Sequence, residues 1–147
     1  MDGNGRWAKK HRLNVAMGHR QGTETLREII RHTDDLKIEA LSIYAFSTEN
    51  WKRSKEEVGA LMQLILDFFA SEIDELDEKN VRILILGDKA ALPEKQRDTL
   101  IEAERRTAKN TGLHLNIALN YGGRAELTRA ARLIAEEAAQ GRLNPDE

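Results

Sequence analysis

The chain has 147 residues, enough to bury one hydrophobic core, with 23 lysines and arginines against 25 aspartates and glutamates. A net charge of −2 provides no basic surface for nucleic acid, so no nucleic-acid partner is expected. The lack of cysteine excludes disulfides and thiolate zinc sites, and no apolar run approaches the roughly 20 residues that span a bilayer. We therefore expect a cytoplasmic, globular single domain.

Predicted helices and strands alternate along the chain. Residues 17–36 repeat apolar side chains at helical spacing, and the run IEALSIYAF at 38–46 is nearly continuous in apolar residues, as in a buried parallel strand. The next helix, over 54–80, opens with SKEE, where Ser54 caps the backbone of Glu57 and Glu57 reaches back in a capping box. VRILIL at 81–86 is the second strand.

The second half of the chain continues the alternation. Pro93 lies near the start of a helix, and Gly112 is positioned to end that helix in a left-handed conformation. LHLNIAL at 113–119 is the third strand, and it alternates, with Leu113, Leu115, Ile117 and Leu119 on one face. A last helix covers 124–140 and is followed by Gly141. Helices between strands predict right-handed crossovers and a parallel sheet layered with helices, an α/β fold. Because no strand precedes the first loop and none follows the last helix, we expect a chain lacking its first strand and its C-terminal part.

The loop DGNGRW at residues 2–7 combines an acid, two glycines and an arginine. Glycines let backbone N–H groups approach an anion, and Arg6 can form paired hydrogen bonds with phosphate oxygens. Asp2 would then need a divalent cation beside the phosphate, and magnesium is the cation that prefers this arrangement. The other interpretation is a surface turn that uses Asp and Gly for backbone reasons, and the spacing alone leaves both open.

Two further loops follow predicted strands. Residues 47–53, STENWKR, carry two hydroxyls, an amide, a guanidinium and an indole, and could instead be a hydrophilic connection with Trp51 against the core. Residues 120–124, NYGGR, could use their glycines only for a tight turn, and His19 is either a phosphate partner or a residue at a helix start. Ligands of open α/β sheets bind at the carboxyl ends of the strands, so the joint placement of these loops favours a binding site.

The motifs DGNGRW, GHRQG, FSTENWKR, VRILILGD and NYGGR, in this order, resemble those of the cis-prenyltransferases, and among them the bacterial undecaprenyl diphosphate synthases. The resemblance covers essentially the whole chain and implies that residues 1–147 are a partial cis-prenyltransferase domain. It implies a magnesium-dependent enzyme that condenses isopentenyl diphosphate onto an allylic diphosphate, such as farnesyl diphosphate, with each new double bond cis. The implied product is a polyprenyl diphosphate, a lipid carrier of cell-wall synthesis. A homodimer and peripheral membrane contact through the lipid product are also implied.

The resemblance further implies roles for individual residues. Asp2 would bind Mg²⁺ and act in catalysis, and Asn50 and Arg53 would lie nearest the reaction. The other substrate-binding residues implied are Gly3, Asn4, Gly5, Arg6, Trp7, His19, Ser47, Thr48, Glu49 and Trp51. A neutral amide is a very weak base, so we assign Asn50 to positioning by hydrogen bonds and the released proton to a diphosphate oxygen or Asp2.

The chain departs from the family pattern in three places. Val15 stands where the family usually has an arginine, and Lys37 stands where a glycine often ends the second helix. The Arg-x-Ser-Gly-Glu and Arg-x-Ser-Asn stretches and a later Glu, which bind isopentenyl diphosphate and magnesium, have no counterpart in residues 1–147. We therefore expect half of the site and no elongation by these residues alone. The alternative is a noncatalytic member that acts as a folded interaction subunit, although such members tend to lose the DGNGRW residues.

The helix predicted over 54–80 carries apolar residues around more than one side. One interpretation is burial on most sides, and the other, which the resemblance supports, is that the helix lines a tunnel for the growing prenyl chain. On the tunnel hypothesis, enlarging a small residue such as Ala70 shortens the product.

Overall fold

The computed structural model describes residues 2–144 and contains five α-helices and three β-strands in that range. In chain order the elements are α1 (Asn4–Lys10), α2 (Val15–Asp35), β1 (Ala40–Ser47), α3 (Lys55–Glu78), β2 (Arg82–Leu86), α4 (Glu94–Thr107), β3 (His114–Tyr121) and α5 (Gly123–Ala139). Short 3-10 helices, Thr48–Lys52 and Lys89–Ala91, follow β1 and β2. None of the helices in the described range is long and apolar enough to cross a membrane.

The three strands form one parallel sheet in the order β1-β3-β2, so β3 is the central strand. Helix α3 connects β1 to β2 and α4 connects β2 to β3, which is the alternation that the sequence predicts. The predicted α/β fold with a parallel sheet is therefore confirmed. The carboxyl ends of β1 and β3 meet at one edge, where Ser47 pairs with Tyr121.

One hydrophobic core lies between the sheet and helices α2, α3 and α4. The predicted alternation of β3 is confirmed, since Leu113, Leu115, Ile117 and Leu119 are all buried in this core. Leu100 of α4 and Phe69 of α3 pack in the same cluster. Each of the three helices turns one apolar stripe toward the sheet, so the spacing of apolar residues in a helix determines which of its faces packs on the sheet.

The opposite face of the sheet is open within the described residues. Tyr44 of β1 and Leu84 of β2 are about half exposed, and α5 has no buried residue. The expectation that β1 is buried on both faces is therefore wrong for this range, because helices pack on only one side of it. The apolar run predicted the strand correctly but predicted more burial of its side chains than the structure shows.

The ends of three helices, at Lys37, Gly112 and Gly141, show different outcomes for the predictions about them. Helix α2 is followed by Lys37 at φ 55°, the left-handed conformation expected for the position where the family often has glycine, and Gly141 follows α5 at φ 67°. Helix α4, however, ends at Thr107, so the prediction that Gly112 caps it is wrong. A Cβ on Gly112 would lie 2.6 Å from the backbone oxygen of Asn80, so this glycine permits a close approach of two chain segments instead.

The first predicted loop is mostly helical. Gly3, at φ 89°, precedes α1, and Asn4, Gly5, Arg6 and Trp7 form its first turn. The glycine-containing motif therefore makes a tight entry into a helix, and the interpretation of residues 4–7 as a loop is wrong.

Candidate functional site

A cavity opens between α2, α3 and the carboxyl ends of β1 and β3. It encloses about 780 Å³ of space between atoms, including its open mouth. Asn4, His19, Asn50 and Arg53 contribute its polar lining, together with Thr23. The other lining residues are Leu26, Ile43, Ala45, Phe46, Leu61, Leu64, Ile65, Phe68, Phe69, Ile117 and Leu119. Four residues from three separate sequence motifs that were predicted as site residues thus meet in one cavity.

Most polar lining residues lie near the carboxyl end of β1, and the apolar lining continues from there along α2, α3 and the sheet. Asn50 and Arg53 follow the carboxyl end of β1, and His19 lies beside them near the start of α2. Leu26 lies two turns further along α2, and Phe69 lies near the middle of α3, well away from its start. At 1.5 Å per residue, the seven residues from His19 to Leu26 extend the apolar part by roughly 10 Å. The cavity therefore has a polar mouth and an apolar interior.

A β-bulge at the end of β1 shapes the cavity wall. Tyr44 pairs with Ala118 and Phe46 with Leu119, so two residues of β1 oppose one residue of β3. Consecutive strand residues normally face opposite sides of a sheet, but the bulge lets both Ala45 and Phe46 line the cavity. The sequence did not predict this irregularity.

The 47–53 segment is held by a complete capping box that the sequence analysis missed. The side chain of Ser47 accepts from the backbone of Asn50, and the backbone N–H of Ser47 donates to Asn50 Oδ1 at 3.0 Å. Because Oδ1 is engaged in this bond, the amide NH₂ group is the part of Asn50 suited to a ligand. This geometry favours a hydrogen-bonding role for Asn50 over a role as proton acceptor.

Glu57 connects the two polar walls of the cavity. Its Oε1 atom accepts from His19 Nε2 at 3.1 Å and from Arg53 Nη1 at 2.6 Å. Burial, the largest single influence, raises the pKa of Glu57, but the hydrogen bonds from His19 and Arg53 and the charge of Arg53 together hold that pKa below its ordinary value. An ionised carboxylate only accepts hydrogen bonds, so Nε2 of His19 carries the hydrogen in this contact.

The capping box predicted at SKEE is therefore only half correct. The backbone N–H of Glu57 does donate to Ser54 Oγ at 3.2 Å, as predicted. Its side chain, however, binds His19 and Arg53 instead of reaching back to Ser54. Two strong donors at the cavity mouth provide a better environment for the carboxylate than one backbone N–H group.

Two glycines of α2 bring Asn4 to the cavity. A Cβ on Gly18 would overlap the backbone oxygen of Asn4, and a Cβ on Gly22 would lie 2.7 Å from the carboxamide atoms of Asn4. The absence of side chains at these two positions lets α1 pack directly on α2, with Ala8 fully buried between them. The GHRQG motif thus positions a residue of the DGNGRW motif.

Asp2 and Arg6 lie outside the cavity lining and are exposed. Arg6 Nη2 donates to Asp2 Oδ2 at 3.0 Å, Gly3 donates to Asp2 Oδ1 at 2.6 Å, and the two charged side chains are 93% and 82% exposed for Asp2 and Arg6. Residues 2–144 contain no group of three potential His, Cys, Asp or Glu metal ligands. A single exposed carboxylate nevertheless fits magnesium, which keeps several waters and commonly binds through one or two carboxylates and the substrate phosphates.

The remaining predicted site residues also lie outside the cavity lining. Trp7 stacks on His11 with 4.2 Å between ring centroids, and Glu49 and Thr48 are exposed at the start of the 3-10 helix. Gly3, Gly5, Ser47 and Trp51 are likewise absent from the lining, and Ala70 is exposed on α3, away from the cavity. Ala70 is therefore not part of the cavity wall, and the small residue that does line the wall is Ala45.

The cavity residues of α2 beyond His19 were not predicted although a signal existed, whereas a wall formed by α3 was one of the two interpretations of its apolar residues. His19, Thr23 and Leu26 repeat at helical spacing on α2, and Glu57, Leu61 and Leu64 do the same on α3. Each series starts at a predicted polar position, so continuing it along the same helix face would have identified the apolar wall.

Comparisons with known proteins identify the family of the chain. Residues 1–147 match the protein-family model described as "Putative undecaprenyl diphosphate synthase". The chain is 46% identical over 147 residues to isoprenyl transferase of Clostridium perfringens and 48% identical over 146 residues to that of Streptococcus thermophilus. These matches cover 100% and 99% of this chain but only 58% and 59% of the relatives, so the chain spans little more than half their length.

Solved structures show the same fold. Lavandulyl diphosphate synthase from Lavandula x intermedia, in complex with dimethylallyl diphosphate, matches with a TM-score of 0.94 and 38% identity over 99% of this chain and 63% of its own. A probable undecaprenyl diphosphate synthase from Campylobacter jejuni matches with a TM-score of 0.75 and 32% identity over 80% of this chain and 58% of its own. The chain belongs to the undecaprenyl diphosphate synthase family of prenyltransferases.

Proposed function

We propose that this chain provides the allylic-diphosphate half of a cis-prenyltransferase site. The observation that carries the proposal is the cavity with a polar mouth at Asn4, His19, Asn50 and Arg53 and an apolar interior. A ligand that matches both ends has a strongly hydrogen-bonding head and a long hydrocarbon tail, and an allylic diphosphate such as farnesyl diphosphate has both. The dimethylallyl diphosphate bound to the lavender enzyme supports this class of ligand.

The polar mouth would bind and stabilise the diphosphate as a leaving group. Arg53 uses Nη1 to bind Glu57, and its other guanidinium N–H groups can bind diphosphate oxygens. The amide NH₂ of Asn50 adds a neutral donor on the same wall. Donors fixed in place before the reaction stabilise charge that develops when the carbon–oxygen bond breaks. The proton lost in the condensation would go to a diphosphate oxygen or to Asp2.

Asp2 is the residue that would hold Mg²⁺ beside the diphosphate. When bound, the ion would neutralise part of the diphosphate charge and so favour departure of the leaving group. The ion pair between Asp2 and Arg6 holds the Asp2 carboxylate near the start of α1, two residues before Asn4 of the cavity mouth.

The apolar interior would hold the hydrocarbon tail. Leu26, Ile65 and Phe69 line it and offer no hydrogen bonds from their side chains. Burial of apolar surface stabilises such a complex by about 25 cal/mol per Å². We further propose, from the family alone, a polyprenyl diphosphate product, a homodimer and membrane contact through that product.

Calorimetric titration of the chain with farnesyl diphosphate, inorganic diphosphate and farnesol tests the proposal, with and without Mg²⁺. We expect farnesyl diphosphate to bind more tightly than either part alone, and Mg²⁺ to tighten binding. Equal affinity for farnesyl diphosphate and inorganic diphosphate would refute a role for the apolar interior.

The same chain, incubated with Mg²⁺, farnesyl diphosphate and labelled isopentenyl diphosphate, should not extend the allylic chain. Two-substrate chemistry gains much of its rate from holding both reactants together, and residues 1–147 lack the family's stretches for the second diphosphate. Extension above a blank without protein would contradict this part of the proposal.

A further inference from the structure

Asn120 is a buried polar residue at the end of β3 that connects two loops. It is 6% exposed and adopts φ 47°, a left-handed conformation that asparagine tolerates better than most residues. Its Oδ1 accepts from the indole Nε1 of Trp51 at 2.8 Å, and its Nδ2 donates to the backbone oxygen of Asp88 at 2.9 Å. Both ends of one amide are therefore engaged with segments that are distant in the chain.

The indole of Trp51 is the contact through which Asn120 reaches the 47–53 segment. Trp51 lies in the 3-10 helix between Asn50 and Arg53, and its ring packs edge-on against the buried Phe46 with 5.0 Å between centroids. Neither Asn120 nor Trp51 lines the cavity, whereas Phe46, Asn50 and Arg53 do. A change at Asn120 would thus reach the cavity indirectly, by moving the indole and the backbone on either side of it.

We propose that Asn120 is a positioning residue that holds the 47–53 segment, through Trp51, in the conformation that presents Asn50 and Arg53 to the allylic ligand. The inference rests on the proposed function, since it concerns the same cavity. Gly122 supports the arrangement, because a Cβ there would lie 2.6 Å from Thr48 Oγ1 and would push the segment away from β3. Contacts from the end of β3 therefore fix the position of the 47–53 segment.

Asn120→Gly tests the proposal, because glycine adopts positive φ freely and removes both hydrogen bonds without adding charge. Asn116→Gly is the matched control, since Asn116 lies on the same strand and donates to Ser42 Oγ instead of to the segment. In a Trp7→Phe background, Trp51 is the only tryptophan, and excitation at a wavelength that tyrosine does not absorb reports on it alone. We expect a red shift and stronger acrylamide quenching in Asn120→Gly and neither change in Asn116→Gly. A purely structural role would lower the melting temperature and leave the Trp51 emission of the folded protein unchanged.

Farnesyl diphosphate affinity, measured by calorimetry, tests the connection to the ligand. We expect Asn120→Gly to weaken binding roughly fivefold to tenfold, the effect of about one hydrogen bond. Trp51→Phe removes the indole N–H group. When Asn120→Gly is added to Trp51→Phe, the double variant should bind less than about twofold more weakly than Trp51→Phe alone. A full additional loss in the double variant, or no loss in Asn120→Gly alone, would overturn the proposal.

Exchange of the indole N–H groups in the unmodified protein needs no variant and therefore covers the case in which Asn120→Gly does not fold. Trp7 and Trp51 are both 38% exposed, so Trp7 is an internal reference for Trp51. We expect the Trp51 indole hydrogen to exchange more slowly, and equal rates would overturn the hydrogen bond on which the proposal depends. If the unmodified chain does not bind farnesyl diphosphate, the proposed function fails by itself, while the emission and exchange measurements still decide whether Asn120 holds the segment.

Discussion

Replacing three helical glycines with alanine should separate protein stability from ligand binding. Gly59 of α3 has open space around it, whereas Gly22 faces the carboxamide of Asn4 and Gly18 faces the backbone of Asn4. Alanine in a helix interior stabilises by about 1 kcal/mol relative to glycine when nothing opposes it. Gly59→Ala should therefore gain about that amount and serve as the control.

The cost of the added methyl group differs between the other two positions. At Gly18 it would overlap a backbone atom and contact Ala8, so α1 must move away from α2. Overpacking of this kind costs about 1–3 kcal/mol, and the upper end applies because a backbone cannot rotate away as a side chain can. At Gly22 the methyl group meets the flexible end of Asn4, 2.7 Å away, which can rotate out of the cavity. Gly22→Ala should therefore keep or slightly increase stability.

Ligand affinity should follow a different order. Displacement of the Asn4 carboxamide by Gly22→Ala removes about one hydrogen bond from the polar mouth, so farnesyl diphosphate should bind roughly threefold to tenfold more weakly. Urea denaturation gives the free energy of unfolding, and calorimetry gives the dissociation constant for the same samples. The reasoning is refuted if Gly22→Ala binds like the unmodified chain, or if Gly18→Ala is as stable as Gly59→Ala.

Three further predictions concern the cavity, the metal and acid stability. Ala45→Leu should fill part of the cavity and weaken farnesyl diphosphate binding more than tenfold, at about 0.8 kcal/mol per displaced CH₂, and weaken binding of the shorter dimethylallyl diphosphate by less. The matched substitution Ala70→Leu, on the exposed side of α3, should change neither dissociation constant. Asp2→Asn should abolish the tightening of farnesyl diphosphate binding by Mg²⁺, and unchanged Mg²⁺ dependence in titration calorimetry would exclude Asp2 as the ligand. The hydrogen bond from Arg31, the largest influence, lowers the pKa of Glu75 from 4.5 to about 2, so its contribution to stability is present above pH 4.5 and is lost as the pH falls toward 2. Because Glu75 is 37% exposed, we expect this contribution to the free energy of unfolding to be only about 1 kcal/mol. Urea denaturation between pH 5 and about 2 should show that the free energy of unfolding falls less with acid in Glu75→Gln than in the unmodified chain. The same fall in both proteins would contradict the role given to Glu75.

Much of the fold follows from local patterns in the sequence. The alternating residues of β3 from Leu113 to Leu119 are buried, and the apolar spacing of α2 and α3 identified both helices within a few residues of their ends. Such patterns are predictive because a side chain's neighbours in the same strand or helix determine which face it occupies. The placement of the loops after β1 and β3 at one edge follows from the parallel sheet.

The site itself was predicted less completely. The sequence predicted Asn4, His19, Asn50 and Arg53 as residues of one site, and all four line the cavity, but it assigned Glu57 to a helix cap and, on the tunnel hypothesis, Ala70 to the wall. Local rules favoured both assignments, since Ser54 does cap the backbone of Glu57 and Ala70 lies on an apolar helix. The first assignment failed because Glu57 binds His19 of another helix, and the second because Ala70 lies on the exposed side of α3.

The sequence by itself determined the family, the order of helices and strands, and the motifs from which the site is built. Only the tertiary structure decided that Glu57 binds His19, 38 residues away, and that Asn120 binds Trp51, 69 residues away. It also decided that a bulge turns both Ala45 and Phe46 toward the cavity. The physical reason is that helix and strand periodicity acts over a few residues, whereas a side chain's hydrogen-bond partner depends on how whole elements pack against the sheet.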